Sequence, residues 1–213
     1  MKVEIDGQEL DVIVVKKRNN KRMYLRVKED MNIYISTNYL TKDKDILRFI
    51  KENQDFIIKN LNLREKQKEY EKEFYYLGKK YDLVYLNTKD VVVGETKIFL
   101  NKDMDINKWL KKQALVIFQE ELFKIYEKFP YKIAKPTLTI RNMKTRWGVC
   151  NVKTKRITLN LNLIRKEIKY LDYVIVHELS HLVCPNHSTY FWNVVSILEP
   201  NYKKLRKELN SYE

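Results

Sequence analysis

The sequence predicts an α+β protein, on three observations. Apolar residues alternate with polar ones in short runs over residues 1–40, 74–100 and 137–163, the period of a half-buried strand. Elsewhere they recur every three or four positions, the period of a helix packed on one face. The order of these blocks is that of an α+β chain.

The elements follow in order. Val3-Glu4-Ile5-Asp6, Leu10 to Val15, Met23 to Val27 and Ile33 to Ser36 read as strands, with Asp6-Gly7 as a hairpin turn. Thr41 is positioned as an N-cap for one helix carrying Ile46, Phe49, Ile50, Phe56, Ile57 and Leu61, with the charged stretch Arg64 to Lys72 as its solvated end. Strands return from Phe74 to Leu86 around Gly78-Lys79-Lys80, and from Val91 to Leu100. A long helix spans about Asp105 to Lys128 and is closed by Phe129-Pro130. Leu138 to Ile140, Thr145 to Cys150 and Ile157 to Leu163 are extended. A helix begins between Lys166 and Tyr170 and runs to about Leu182, stopped by Pro185. Ser188 caps a last helix, which Pro200 interrupts before a charged tail. The reading finds no internal repeat and no linker, so residues 1–213 are expected to form one unit, with a β-rich part with one helix over 1–100 and a second part over 105–213.

Composition excludes several classes. Hydrophobic residues make up 44% of the chain, too many for disorder, and four Gly and four Pro exclude collagen-like or linker sequence. No run of about 18 apolar residues spans a membrane. The N-terminus lacks the apolar core of a signal peptide, and Cys150 and Cys184 cannot build a disulfide framework, so a cytoplasmic location is expected. The net charge of +14 has two readings. One is an anionic partner, nucleic acid included. The other is composition, since 32 Lys stand against 10 Arg and are mixed with acids. The compositional reading is favoured.

One constellation carries chemistry. The only three histidines lie within His177-Glu178-Leu179-Ser180-His181-Leu182-Val183-Cys184-Pro185-Asn186-His187. Four helical residues turn about 400°, so His177 and His181 project from one face and reach a single ion. Glu178 lies about 100° round from His177, placed to exchange a proton with water rather than to ligate. Pro185 ends the helix and lets the chain fold back, presenting His187 as a third ligand and leaving a fourth position open, as in catalytic zinc sites. The apolar segment Tyr173-Val174-Ile175-Val176 marks the helix as buried, where unpartnered histidines would be costly. Two alternatives stand beside this. Glu199 is a second candidate for third ligand, and Cys184 with Cys150 is a candidate for a structural zinc site. His187 and a catalytic site are preferred, because a structural site would leave Glu178 without a role.

The sequence also resembles the YgjP-like metallopeptidases, a bacterial and archaeal group related to the SprT-like zinc proteases. Four segments carry the likeness: Lys144-Thr145-Arg146-Trp147-Gly148-Val149-Cys150, Ile157-Thr158-Leu159-Asn160, Tyr173 to His181, and Asn186-His187-Ser188-Thr189-Tyr190-Phe191-Trp192. Lys21 to Val27 and Tyr76-Leu77-Gly78 extend it over nearly the whole chain. Val149 stands where the family usually has Ser, and Leu161-Asn162 where Trp is frequent. The resemblance implies a zincin-like catalytic core behind a β-rich N-terminal part. It implies Zn²⁺ held by His177, His181 and His187, with Glu178 as general base. It singles out Arg146, Trp147 and Asn160 without assigning their chemistry. For Trp147 a packing role is favoured, with Gly148 permitting close approach, and Phe191-Trp192 are expected to lie beneath the metal.

Three functions follow. The first is a zinc-dependent peptidase acting on a peptide or protein. The second is a metal-dependent hydrolase of an anionic non-peptide such as a nucleoside triphosphate. The third is a nucleic-acid-binding protein with a structural zinc. A catalytic pocket free of Lys and Arg would favour the first, and a pocket lined by them the second.

Overall fold

The structure is a computed structural model that describes residues 1–210. It divides into two compact units, Met1–Lys72 and Glu73–Glu213. The division falls at 72/73, not at the 100–105 boundary marked by the sequence pattern. The physical reason is that Ile98 and Leu100 share one core with the helices that follow them.

In the first unit, β1 (Lys2–Ile5), β2 (Gln8–Lys16), β3 (Tyr24–Val27) and β4 (Ile33–Thr37) form a sheet in the order β1-β2-β4-β3. The β1–β2 hairpin closes on Asp6-Gly7, at φ 53° and 73°, the left-handed pair that the Asp-Gly dipeptide predicts. β2 pairs with β4 in parallel. Helices α1 (Asp43–Glu52) and α2 (Gln54–Lys72) supply Ile46, Ile50, Ile57 and Leu61 to a core with Ile5, Val12, Ile33 and Ile35. The expected single helix is thus two. Asn53 closes the first, its side-chain amide donating to the Phe49 carbonyl at 2.8 Å. Thr41 is not the cap; Lys42 holds that position, and the Thr41 hydroxyl pairs with that of Thr37 at 2.7 Å.

The second unit opens with β5 (Phe74–Tyr76), β6 (Lys79–Leu86), β7 (Val92–Val93) and β8 (Lys97–Asn101), in the order β5-β6-β8-β7. Again the first pair is a hairpin on a left-handed dipeptide, Leu77-Gly78, and β6 runs parallel to β8. The topology of the first sheet is repeated. A helix follows each sheet, after Lys42-Asp43-Lys44-Asp45-Ile46 in one case and Lys102-Asp103-Met104-Asp105-Ile106 in the other. The chain therefore contains an internal repeat that the sequence reading did not find.

The helix after the second sheet is α3 (Ile106–Lys128), capped by the Asp105 carboxylate. Its stripe of Leu110, Ala114, Phe118, Leu122 and Ile125 is buried. β9 (Thr137–Arg141), β10 (Gly148–Asn151) and β11 (Arg156–Asn160) form a sheet in the order β10-β11-β9, which leaves β10 at an edge. The expected strand to Leu163 stops at Asn160, whose side chain accepts from the Asn162 N–H and starts a 3₁₀ turn, Leu161–Arg165. Helices α4 (Ile168–Ser180), α5 (Thr189–Leu198) and α6 (Tyr202–Asn210) complete the unit. Ser188 caps α5, as expected, by accepting from the Phe191 N–H. The expected charged tail is instead a helix, because Leu205 and Leu209, one turn apart, are both buried. The α+β class is as expected. Among the described residues no helix is long and apolar enough to cross a membrane.

Candidate metal centre

α4 is apolar on nearly every side through Tyr173, Val174, Ile175 and Val176, so it runs through the core and delivers its last turn to the cleft. His177 and His181 project from that turn with ring centroids 5.0 Å apart. The chain then reverses. The Cys184 N–H closes on the Ser180 carbonyl at 2.9 Å, and the Asn186 carboxamide oxygen accepts from the Ser188 N–H at 3.3 Å. The reversal returns His187 to 5.1 Å from His177 and 4.8 Å from His181, centroid to centroid. One ligand atom from each of the three lies within 4.8 Å of the others. The Phe191 ring touches all three imidazoles at 4.6–4.9 Å, and Trp192 stacks on His187 at 5.6 Å.

The donor set suits a cation. His177 Nε2 and His187 Nε2 face each other at 3.2 Å, so without a cation one of them must carry a proton to avoid opposing lone pairs. Burial first, and then the charges of the neighbouring histidines, push His177 down to about 3, so it is held neutral and able to ligate. His181 is also lowered, first by burial and then by the His187 charge, with the neighbouring Cys184 and Pro185 backbone acting the other way. His177 Nδ1 is buried with no partner among the described residues.

The other candidate ligands lie elsewhere. Cys184 Sγ is engaged within the reversal, 3.3 Å from Asn186 Oδ1 and 3.4 Å from Ser188 Oγ. The Cys150 thiol is pushed up to about 11 by burial, reinforced by Glu178. Glu199 caps the end of α5, where its Oε1 accepts from the Asn201 N–H at 3.1 Å.

Glu178 is only 4% exposed. Burial pushes its carboxyl up to about 8, against the opposing hydrogen bond from the Cys150 N–H and the Arg146 charge. The close approach expected at Gly148 is present. A Cβ at that position would lie 2.5 Å from Glu178 Oε1 and 2.8 Å from Val174 Cγ1, closer than real Cβ atoms come. β10 is thereby laid directly against the carboxylate. Asn160, almost fully buried, holds the loop before β10: its amide donates to the Met143 and Arg146 carbonyls at 2.7 and 2.8 Å. This gives Asn160 a physical role that its place in a motif did not.

A cleft of about 370 Å³ opens over these groups. His177, Glu178, His187, Trp147, Gly148 and Tyr173 line it, with Arg146 and Arg206. Tyr190, in the same segment as His187, is exposed and does not line it. Arg206 is the functional candidate that sequence reasoning missed. The spacing of Leu205 and Leu209 was the signal that its segment is a helix rather than a tail.

A family model described as YgjP-like, metallopeptidase domain, matches residues 21–212. Among solved structures, the chain is similar to the metallopeptidase zymogen abylysin of Pyrococcus abyssi, at 24% identity and TM-score 0.40, covering 43% of this chain and 90% of that one. It is also similar to the zymogen jannalysin of Methanocaldococcus jannaschii, at 21% identity and TM-score 0.38, covering 43% and 92%. No curated protein matches.

Proposed function

Given that the chain belongs to the YgjP-like metallopeptidase family, we propose that it is a zinc-dependent peptidase in which His177, His181 and His187 hold the ion and Glu178 is the general base. The observation that carries this is the convergence of three imidazoles within 4.8 Å, with a buried carboxyl group on the adjacent residue of the same helix. Three imidazole donors suit zinc and leave a coordination position open. Bound zinc supplies Lewis acidity toward a carbonyl oxygen and toward water. Burial alone holds Glu178 protonated, and beside the charge of a bound cation it returns to the carboxylate; it then takes the proton of the attacking water on a carboxylate oxygen and returns it to the leaving amine nitrogen. The Cys150 N–H aims that carboxylate, and Phe191 and Trp192 pack beneath the imidazoles and fix their rings. The edge strand β10 offers backbone groups beside the cleft to an extended peptide. The two unpaired cysteines suit a cytosolic enzyme.

The second reading, hydrolysis of an anionic non-peptide such as a nucleoside triphosphate, is favoured by one observation: Arg146 and Arg206 line the cleft. A purely structural zinc would need a fourth ligand, and Cys184 is engaged elsewhere.

The test is zinc-loaded protein assayed on peptides against nucleotides, with metal content measured after dialysis. About one zinc per chain is expected, with peptide cleavage that a chelator abolishes. Glu178→Gln should keep the zinc and lose turnover by at least about 10²-fold, the low end for general acid–base catalysis. His187→Ala should release the metal and Glu199→Gln should not. Absence of zinc affinity, or nucleotide turnover without peptide turnover, would reject the peptidase reading.

A further inference from the structure

Two arginines, Arg146 and Arg206, line the cleft, and the stretch that carries the first is one-sided in charge. Residues 128–166 contain 11 Lys and Arg and no Asp or Glu. Arg146 lies in the middle of this stretch, on the loop that Asn160 anchors. Arg206 comes from α6, where Tyr202, Lys203, Leu209 and Asn210 occupy the positions three and four residues away, so its own helix supplies no acid. Among the described residues neither guanidinium has an ion pair, while seven other basic–acidic pairs form. Arg206 is nonetheless placed: it lies over the Trp192 ring at 4.9 Å, and Trp192 also stacks with Tyr202 at 5.0 Å and with His187 at 5.6 Å. Among the described residues the only acid lining the cleft is Glu178.

Two exposed guanidinium groups without an ion pair among the described residues line one cleft, and Arg146 acts on Glu178 only through its charge. An uncharged peptide offers them only neutral carbonyl acceptors, the weaker of the partners a guanidinium can take. A carboxylate matches the planar fork of each. We propose that the cleft selects peptides bearing a carboxylate, received by Arg146 and Arg206; this rests on the peptidase reading and specifies its substrate class. The carboxylate is either an Asp or Glu side chain near the scissile bond or the peptide's own C-terminus.

The experiment uses full-length, zinc-loaded protein and four peptides of one core sequence, carrying Glu or Gln at one position and a free or amidated C-terminus. The carboxylate form should exceed its amide counterpart about tenfold in kcat/KM, the order expected for a screened charge-assisted hydrogen bond. The Glu/Gln arm and the terminus arm identify which carboxylate is read. Arg206→Gln and Arg146→Gln should bring the ratio toward one, and Arg206→Lys should restore part of it. Equal rates for all four peptides, or a ratio that both variants leave intact, would overturn the proposal while leaving the peptidase reading in place. If no peptide is cleaved, tryptophan fluorescence on Glu178→Gln protein measures peptide affinity without turnover. Tighter binding of the carboxylate forms there would support the selectivity independently of chemistry, and equal affinity would overturn it.

Discussion

At the residue scale the site depends on one missing side chain. Gly148 is the position at which β10 meets Glu178 and Val174, and a methyl group there would overlap both. The overlapped atoms include the carboxylate itself, so relief means moving either the strand or the base. Displacement of a catalytic group by about 1 Å costs on the order of 10²-fold. Gly148→Ala should therefore lower kcat by about that factor while the zinc content stays near one, because the histidines lie on other segments. Wild-type kcat in this variant would show that the approach of β10 does not set the position of Glu178. The role of Gly148 was legible in the sequence only as a motif glycine. Its neighbour Glu178 was legible from helical spacing alone, because four-residue periodicity fixes which side chains share a face. The Arg206 position was not legible, since a charged segment ending a chain has the same composition whether helical or not; only the burial of Leu205 and Leu209 separates the two.

At the scale of elements, α3 and α4 pack through a contact that is unfavourable at neutral pH. Asp172 on α4 is half-buried, its Oδ1 has no hydrogen-bond partner, and Glu121 on α3 lies close by. Burial first, and then the Glu121 charge, push its carboxyl up to about 6, with Lys124 opposing. The folded pKa is above the unfolded value of about 3.9, so the folded state binds more protons between the two. Stability should fall as pH rises from about 4 to about 6, and the full penalty remains above that. Two pKa units correspond to about 3 kcal/mol, reduced to about 1–2 kcal/mol because the group keeps some solvent. Asp172→Asn should raise stability by that amount at pH 7 and by almost nothing at pH 4, as read by denaturant melts at both values. An equal effect at the two pH values would mean that packing rather than ionisation sets the cost. Nothing in the sequence marks this pair, since Glu121 and Asp172 are 51 residues apart. Helix periodicity placed each on its own element but could not say which faces meet.

For the whole molecule the question is where the charge of +14 lies. The repeated sheets explain why the sequence looked uniform: the two copies share strand order and helix entry but little identity, so periodicity registers the elements and not their kinship. The net charge is spread almost as evenly. Residues 1–72 hold 17 Lys and Arg against 13 Asp and Glu, and residues 73–213 hold 25 against 15. The excess, +4 over 72 residues and +10 over 141, is close to proportional to length, so its distribution alone does not separate a functional charge from a compositional one. Its effect reaches about 30 Å at 0.01 M salt and about 8 Å at 0.15 M. Long-range attraction should then act on carboxylate peptides at low salt and be screened at physiological salt, while the two cleft arginines keep a short-range preference. Across that range kcat/KM for a net-neutral, amidated peptide should change by less than about twofold. For its acidic counterpart it should fall several-fold, with the loss in association rather than in kcat. A parallel fall for both peptides would place the salt effect in the protein's own stability or metal affinity. No fall for either would return the net charge to composition, leaving any selectivity to Arg146 and Arg206 alone.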